Sequence, residues 1–176
     1  MADDFVVTPW NVEGDIDYDK LIKRFGTQKI TSDLLTKIEK FTKESHFMLR
    51  RGIFFSHRDL NRLLDDYEKG KKFFLYTGRG PSGHTHIGHL VPWVFAKWLQ
   101  DKFGAKMYFQ LTDDEKFWSK KDMTLEKTSN FALENALDFI ALGFKPENTK
   151  IIIDTKNIKT LYPIAAEFAK RINFSN

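Results

Sequence analysis

Apolar positions follow one rhythm up to about Lys71 and another after it. Before that point the spacing is helical. Asp17 to Phe25 predicts a short amphipathic helix stopped by Gly26. Thr31 or Ser32 can cap a second helix through Thr42, with Leu34, Leu35, Ile38 and Phe41 on one face. Ser56 followed by Asp59 resembles a capping arrangement with Asp in place of the usual Glu, opening a helix that carries Leu60, Leu63, Leu64 and Tyr67. Gly70 supplies its stop. After Lys71, strand, loop and helix alternate. Phe73 to Thr77 is an apolar run of buried-strand length, followed by a Gly/Pro-rich loop from Gly78 to Thr85. The next helix sets Ile87, Leu90, Val91, Val94, Phe95, Trp98 and Leu99 at helical spacing and ends near Gly104, with a kink expected at Pro92. Met107 to Thr112 predicts the second strand. A helix from Thr124 turns Leu133, Ala136, Leu137, Ile140 and Ala141 inward and stops at Gly143. Ile151 to Asp154 predicts a third strand, and Pro163 suits the first turn of a final helix with Ile164, Ala165, Phe168 and Ala169.

Strands alternating with helices imply right-handed crossovers and a parallel sheet. The expected fold is α/β, a Rossmann-like parallel sheet over residues 71–176 preceded by a helical amino-terminal extension over residues 1–70.

The 176 residues are 41% apolar, enough for one substantial core, and the 17 Phe, 5 Tyr and 4 Trp need burial. No run approaches the roughly 20 apolar residues of a membrane span. Met1 to Asp4 is acidic and lacks the basic-then-apolar order of a signal peptide. Without cysteine there is neither a disulfide framework nor a thiolate metal site, which fits a cytoplasmic protein. The net charge of +4 would point to a polyanion only if clustered, and Arg50–Arg51, Arg58, Arg62 and Lys69 to Lys72 read as a solvated helix face.

The chemistry concentrates between Tyr76 and His89, where a strand ends in a glycine loop that runs into a helix. Anions bind at such a junction because unpaired N–H groups and the positive dipole end face the ligand. Three glycines allow close backbone approach, and Arg79 can add a permanent charge. His86 and His89 lie on the first turn, where both can donate to one bound anion. Together these features point to a nucleotide site.

His86-Ile87-Gly88-His89 matches the HIGH motif of class I aminoacyl-tRNA synthetases, and Pro81-Ser82-Gly83 looks like the loop that leads into it. Further segments resemble the tryptophanyl enzymes of eukaryotic and archaeal type. They are Thr8-Pro9-Trp10, Asp17 to Ile22, Arg24-Phe25-Gly26, Arg51 to Asp59, Tyr76 to Pro81, Lys97 to Gln100 and Gln110 to Lys116. The likeness runs from about Val7 to about Asp154, and the loop before His86 is nearer the archaeal form.

The resemblance implies amino-acid activation by ATP with Mg2+ as co-substrate, transfer to tRNA(Trp), and no tightly bound cofactor or protein-held metal. It implies catalytic roles for His86 and His89, and an ATP site of Arg79, Gly80, Pro81, Ser82, His86, Gly88, His89 and Lys116. It places tryptophan against Tyr76, Gly78, Gln110, Thr112 and Glu115, with Tyr76 and Gln110 on the indole N–H and Glu115 on the ammonium. A homodimer in the cytoplasm, away from membranes, is also implied.

The family's KMSKS-type loop and anticodon-binding domain do not occur in the 176 residues, so the chain is expected to be the first half of the catalytic domain and inactive alone. Without the two later strands that flank it in the family, the first strand would keep an open ladder edge, and instability or self-association is expected. Three alternatives stand beside this reading. Tyrosyl enzymes share the fold and the motif, but their pocket needs a partner for a phenol O–H. Small HxGH nucleotidyltransferases begin at the strand itself, without a helical prelude. A truncated synthetase-like chain could serve as a non-catalytic binding module.

Overall fold

The structure is a computed structural model that describes residues 6–7, 12–13 and 17–172. Met1 to Asp4 and the Thr8-Pro9-Trp10 segment lie outside the described residues. The chain divides into two compact units between Lys71 and Lys72.

In the first unit, β1 (Val6–Val7) and β2 (Val12–Glu13) form an antiparallel ribbon. Helix α1 (Tyr18–Phe25) starts at Asp17, whose carboxylate accepts from the Asp19 and Lys20 N–H groups at 3.0 and 3.1 Å. It stops at Gly26, where a φ of 60° is free of the strain a Cβ would bring. Strand β3 (Gln28–Lys29) pairs with β4 (Ser56–His57). Between them lie α2 (Ser32–Thr42), capped by Thr31, and the short α3 (Phe47–Arg50). Helix α4 (Leu60–Glu68) lies against α2, with Phe41 edge-on to Tyr67 and Lys37 and Lys40 bound to Asp65 and Glu68.

The expected cap of α4 is corrected. Asp59 adopts φ 58° and makes no side-chain cap, Ser56 belongs to β4, and the Leu60 N–H donates to His57 Nδ1 instead. Part of the basic cluster has local partners: Arg50 bonds the Ser45 carbonyl, Arg58 the Phe25 carbonyl, and Lys71 the Asp66 carboxylate.

The second unit is a parallel sheet in the order β5 (Phe74–Arg79), β6 (Lys106–Leu111), β7 (Thr149–Ile153). Helix α5 (Ile87–Phe103) joins β5 to β6. Helices α6 (Asp113–Ser119) and α7 (Leu125–Ala141) join β6 to β7, and α8 (Asp154–Ala169) follows. Met107, Phe109 and Leu111 point into one core with Trp93, Ala96, Ala132, Ala136, Phe139, Phe144 and Ile153. Phe139 stacks on Phe109 at 3.8 Å and on Phe144 at 4.0 Å, and Trp93 meets Phe109 edge-on. Burial of each such ring stabilises the unit by roughly 1.5–3 kcal/mol. The opposite sheet face carries Phe74 and Tyr76, 65% and 63% exposed. Among the described strands β5 pairs only with β6, so its other ladder edge is open.

Several expectations are corrected here. The first strand reaches Arg79 and takes Gly78 and Arg79 out of the loop, because pairing with β6 continues through Arg79–Leu111. Helix α5 buries Trp93, Ala96 and Gln100, and Ile87 is 82% exposed. Apolar side chains surround most of α5, so periodicity cannot choose its face. Gln100 is buried because its amide bonds the Thr149 hydroxyl at 2.9 Å and accepts from the Lys145 N–H at 3.0 Å. Helix α7 is rotated from the expected face: it buries Thr128, Ala132, Asn135, Ala136 and Phe139, and exposes Leu133, Leu137 and Ile140. The two alanines permit close approach while Phe139 enters the aromatic stack. Asp113 to Ser119 forms a short helix that the periodicity did not predict. Asp154 opens α8 rather than closing β7, and α8 runs through Pro163 without a break. Asp113 fixes that early start, because its buried carboxylate accepts from the Thr155 N–H at 3.1 Å and from the Thr155 hydroxyl. No helix of the described residues is long and apolar enough to cross a membrane.

Candidate functional site

The carboxyl ends of β5 and β6 open toward the loop Gly80 to Thr85 and the start of α5. Two histidines cap each other there. His86 Nδ1 accepts from the Gly88 N–H at 3.2 Å, and His89 Nδ1 accepts from the His86 N–H at 3.3 Å. A nitrogen that accepts a backbone N–H carries no proton, so each neutral ring bears its hydrogen on Nε2. The rings lie 3.7 Å apart, close enough that two positive charges would repel. Burial lowers the His89 pKa, and Arg79 and His86 lower it further. A Cβ on Gly88 would sit 3.1 Å from His86 Cε1, so the glycine leaves room for the folded-back ring. The sequence expectation of bare N–H groups at this helix start is therefore modified. Imidazoles occupy two of them, and the Nε2–H groups add donors that an anion can use.

Arg79 sits beneath the loop. Its guanidinium donates to the Thr85 hydroxyl at 2.7 Å and to the Gly83 and His84 carbonyls at 3.0 and 2.8 Å. Asn135 donates to the same Gly83 carbonyl at 3.2 Å. Arg79 thus shapes the loop and lends it charge, while its buried Nε–H has no partner among the described residues. Pro81 is buried in the same turn, with Ser82 beside it. His84 faces Glu134 at 3.1 Å. Lys116 from α6 reaches back over Gly80, where an added Cβ would lie 1.9 Å from its Cε, and its ammonium bonds Glu115 at 2.7 Å. The Lys116 bond, with a second from the Thr112 hydroxyl, holds the Glu115 carboxyl below its ordinary pKa.

Tyr76, Gly78 and Gln110 occupy the exposed sheet face. Gly78 and Gln110 are register partners, and a Cβ on Gly78 would come 2.5 Å from the Gln110 carbonyl oxygen. The Tyr76 hydroxyl donates to Gln110 Oε1. Gln110 Nε2 donates to both oxygens of Asp154, at 2.8 and 2.9 Å. Burial raises the Asp154 pKa against the pull of the Gln110 bond, and Asp114, Asp113 and Glu115 raise it further. Tyr76 is therefore not a core residue. Sequence reasoning missed Asp154 and Asn135, and the one available signal was an aspartate at the end of a parallel strand.

A family model for tRNA synthetases class I (W and Y) matches residues 68–171. The chain belongs to this family. Among relatives in it, the chain is similar to the tryptophan–tRNA ligase of Sulfurisphaera tokodaii, 57% identical over 176 residues that make up 99% of this chain and 46% of that protein. It is similarly close to the ligase of Saccharolobus solfataricus, at 54% identity over 99% of this chain and 46% of that protein. Among solved structures of the family, the tryptophanyl-tRNA synthetase of Plasmodium falciparum superposes with a TM-score of 0.85 at 45% identity, covering 90% of this chain and 44% of that one. That of Trypanosoma brucei gives 0.84 at 48% identity, over 90% and 49%. The chain spans about half the length of the curated relatives it matches.

Proposed function

We propose that the protein carrying this chain is a tryptophan–tRNA ligase, and that residues 71–176 supply its tryptophan pocket and the first half of its ATP site, behind an extension over residues 1–70. The observation that carries the reading is the Tyr76–Gln110 pair beside the mutually capped His86 and His89.

In this reading the tryptophan carboxylate attacks the ATP α-phosphorus, a new O–P bond forms, and pyrophosphate leaves with the electrons of the broken P–O bond. A ribose hydroxyl of tRNA(Trp) then attacks the acyl carbon of the adenylate and loses its proton, the ester bond forms, and AMP leaves with the electrons of the broken acyl C–O bond. Nothing in the first step requires the protein to exchange protons with the reacting oxygens. The chain's residues position the reactants and neutralise developing charge. His86 and His89 present Nε2–H donors to phosphoryl oxygens, and Lys116 reaches them by exchanging Glu115 for phosphate. Pro81 and Ser82 form the turn that faces the phosphates, Gly80 leaves room for the Lys116 side chain and Gly88 for the His86 ring, and Arg79 holds the loop's shape. Tyr76 and Gln110 face the indole N–H, Gly78 and Thr112 border the ring and the amino-acid group, and Glu115 takes the ammonium. Mg2+ enters with ATP. The working enzyme is a cytoplasmic homodimer.

Pyrophosphate exchange by the natural gene product decides the matter. Exchange should depend on tryptophan and not on tyrosine. Exchange with tyrosine alone, or with neither amino acid, would overturn the reading.

A further inference from the structure

The side-chain amide of Gln110 is nearly symmetric in shape and asymmetric in chemistry, since one end accepts and the other donates. Which end faces Tyr76 decides what the pocket can recognise. Asp154 settles the direction. Both of its oxygens lie within hydrogen-bond distance of Gln110 Nε2, and an ionised carboxylate has no hydrogen to offer in return. The NH2 end must then face Asp154 and the oxygen must face Tyr76. That oxygen takes the Tyr76 hydroxyl hydrogen, which leaves the phenol oxygen with lone pairs on its exposed side. Hydrogen order along the three groups therefore ends in an acceptor.

The backbone holds Asp154 in place. It is the first residue of α8, it is buried, and the preceding strand pairs in register with Gln110 through Ile152. The neighbouring residue Thr155 is anchored on Asp113. The carboxylate therefore arrives at the Gln110 amide through fixed main chain rather than through a long side chain.

We propose that Asp154 is a positioning residue for substrate selection, orienting the Gln110 amide so that Tyr76 presents an acceptor and the pocket prefers a ring N–H over an isosteric ring without one. This rests on the tryptophan reading above.

The test compares tryptophan with β-(benzothiophen-3-yl)alanine, in which sulfur replaces the indole N–H, in pyrophosphate exchange by the natural gene product. Wild type should favour tryptophan in kcat/KM. Asp154→Asn keeps the size of the side chain but can present either a donor or an acceptor, so Gln110 is free to turn. The preference should fall about 10-fold, the effect of one unmatched buried hydrogen bond, while the KM for ATP stays within about 2-fold. In a Gln110→Met background, Asp154→Asn should leave the preference unchanged within about 2-fold, because no amide remains to orient. Asp154→Ser, smaller than the native side chain, serves as a second variant read the same way. Equal losses for both substrates, or an effect that persists in the Gln110→Met background, would make Asp154 merely structural and overturn the proposal. A wild type that uses both substrates equally would also overturn it. A wild type that activates no tryptophan at all refutes the enzymatic reading itself, which is a separate result.

Discussion

Gly78 offers the sharpest probe of the site's construction. Its built Cβ would lie 2.5 Å from the Gln110 carbonyl oxygen and 3.3 Å from the carbonyl carbon, where ordinary contact begins at 3.4 Å. The shortfall, 3.4 less 2.5 Å, is about 0.9 Å. Gln110 cannot retreat cheaply. On its far side it pairs with Ile152, and its side chain is tied to Asp154 and Tyr76. Forcing a methyl group into such a contact costs roughly 1–3 kcal/mol. For a unit of this size each kcal/mol is worth roughly 4–8 °C in the melting temperature, so Gly78→Ala should melt roughly 4–24 °C below wild type. The displaced amide should also raise the KM for tryptophan about 10-fold while the KM for ATP moves less than about 2-fold. Thermal unfolding followed by circular dichroism and exchange kinetics read the two effects. Gly83→Ala is the control, because its added Cβ meets nothing within 4 Å. If the two variants melt together with wild type, the close approach of β5 to β6 is not as described.

Three further outcomes follow from the same structure. Burial lowers the pKa of His89, His46 and His57 in the folded chain. The unfolded chain then binds more protons just below about pH 6.5, so stability rises with pH through that window and is lost as pH falls below it. Melts across that range should show this sign, and a flat or reversed profile contradicts it. Gln100→Leu strands the Lys145 N–H and the Thr149 hydroxyl and should cost about 2 kcal/mol or more by denaturant unfolding. A cost below about 0.5 kcal/mol would show those bonds to be unimportant. Pro163→Ala, at an exposed interior position of α8, should stabilise that helix, by up to about 3 kcal/mol, and raise its protection from hydrogen exchange. No gain would mean that the helix starts at the proline.

What could be read from sequence was local. Asp17, Thr31 and Thr124 cap their helices through oxygens two or three residues from the N–H groups they bind, and Gly26, Gly70 and Gly104 adopt the left-handed turn their positions imply. The pairing of His86 with His89 is local too, so the motif was visible although its mutual capping was not. Helix faces were harder. Apolar residues on several sides of α5 and α7 left the choice to Trp93 and Phe139, whose partners are on another element. The contact between Gln110 and Asp154 spans 44 residues, and no local pattern encodes it. The same holds for Asn135, which reaches Gly83 from 52 residues away. Pro163 misled because a proline suits a helix start by propensity, while the Asp113–Thr155 bonds had already begun the helix nine residues earlier.

Tyr76, Gly78 and Gln110 are rungs of one parallel ladder, so the groups proposed to choose the amino acid also help hold the sheet together. Discrimination and cooperativity then share a mechanical origin. A homologue adapted to cold could not soften this ladder for speed without blurring its choice of substrate. Its freedom to change lies in the turn from Pro81 to Thr85, outside that ladder, where pliancy would touch only the proposed handling of nucleotide.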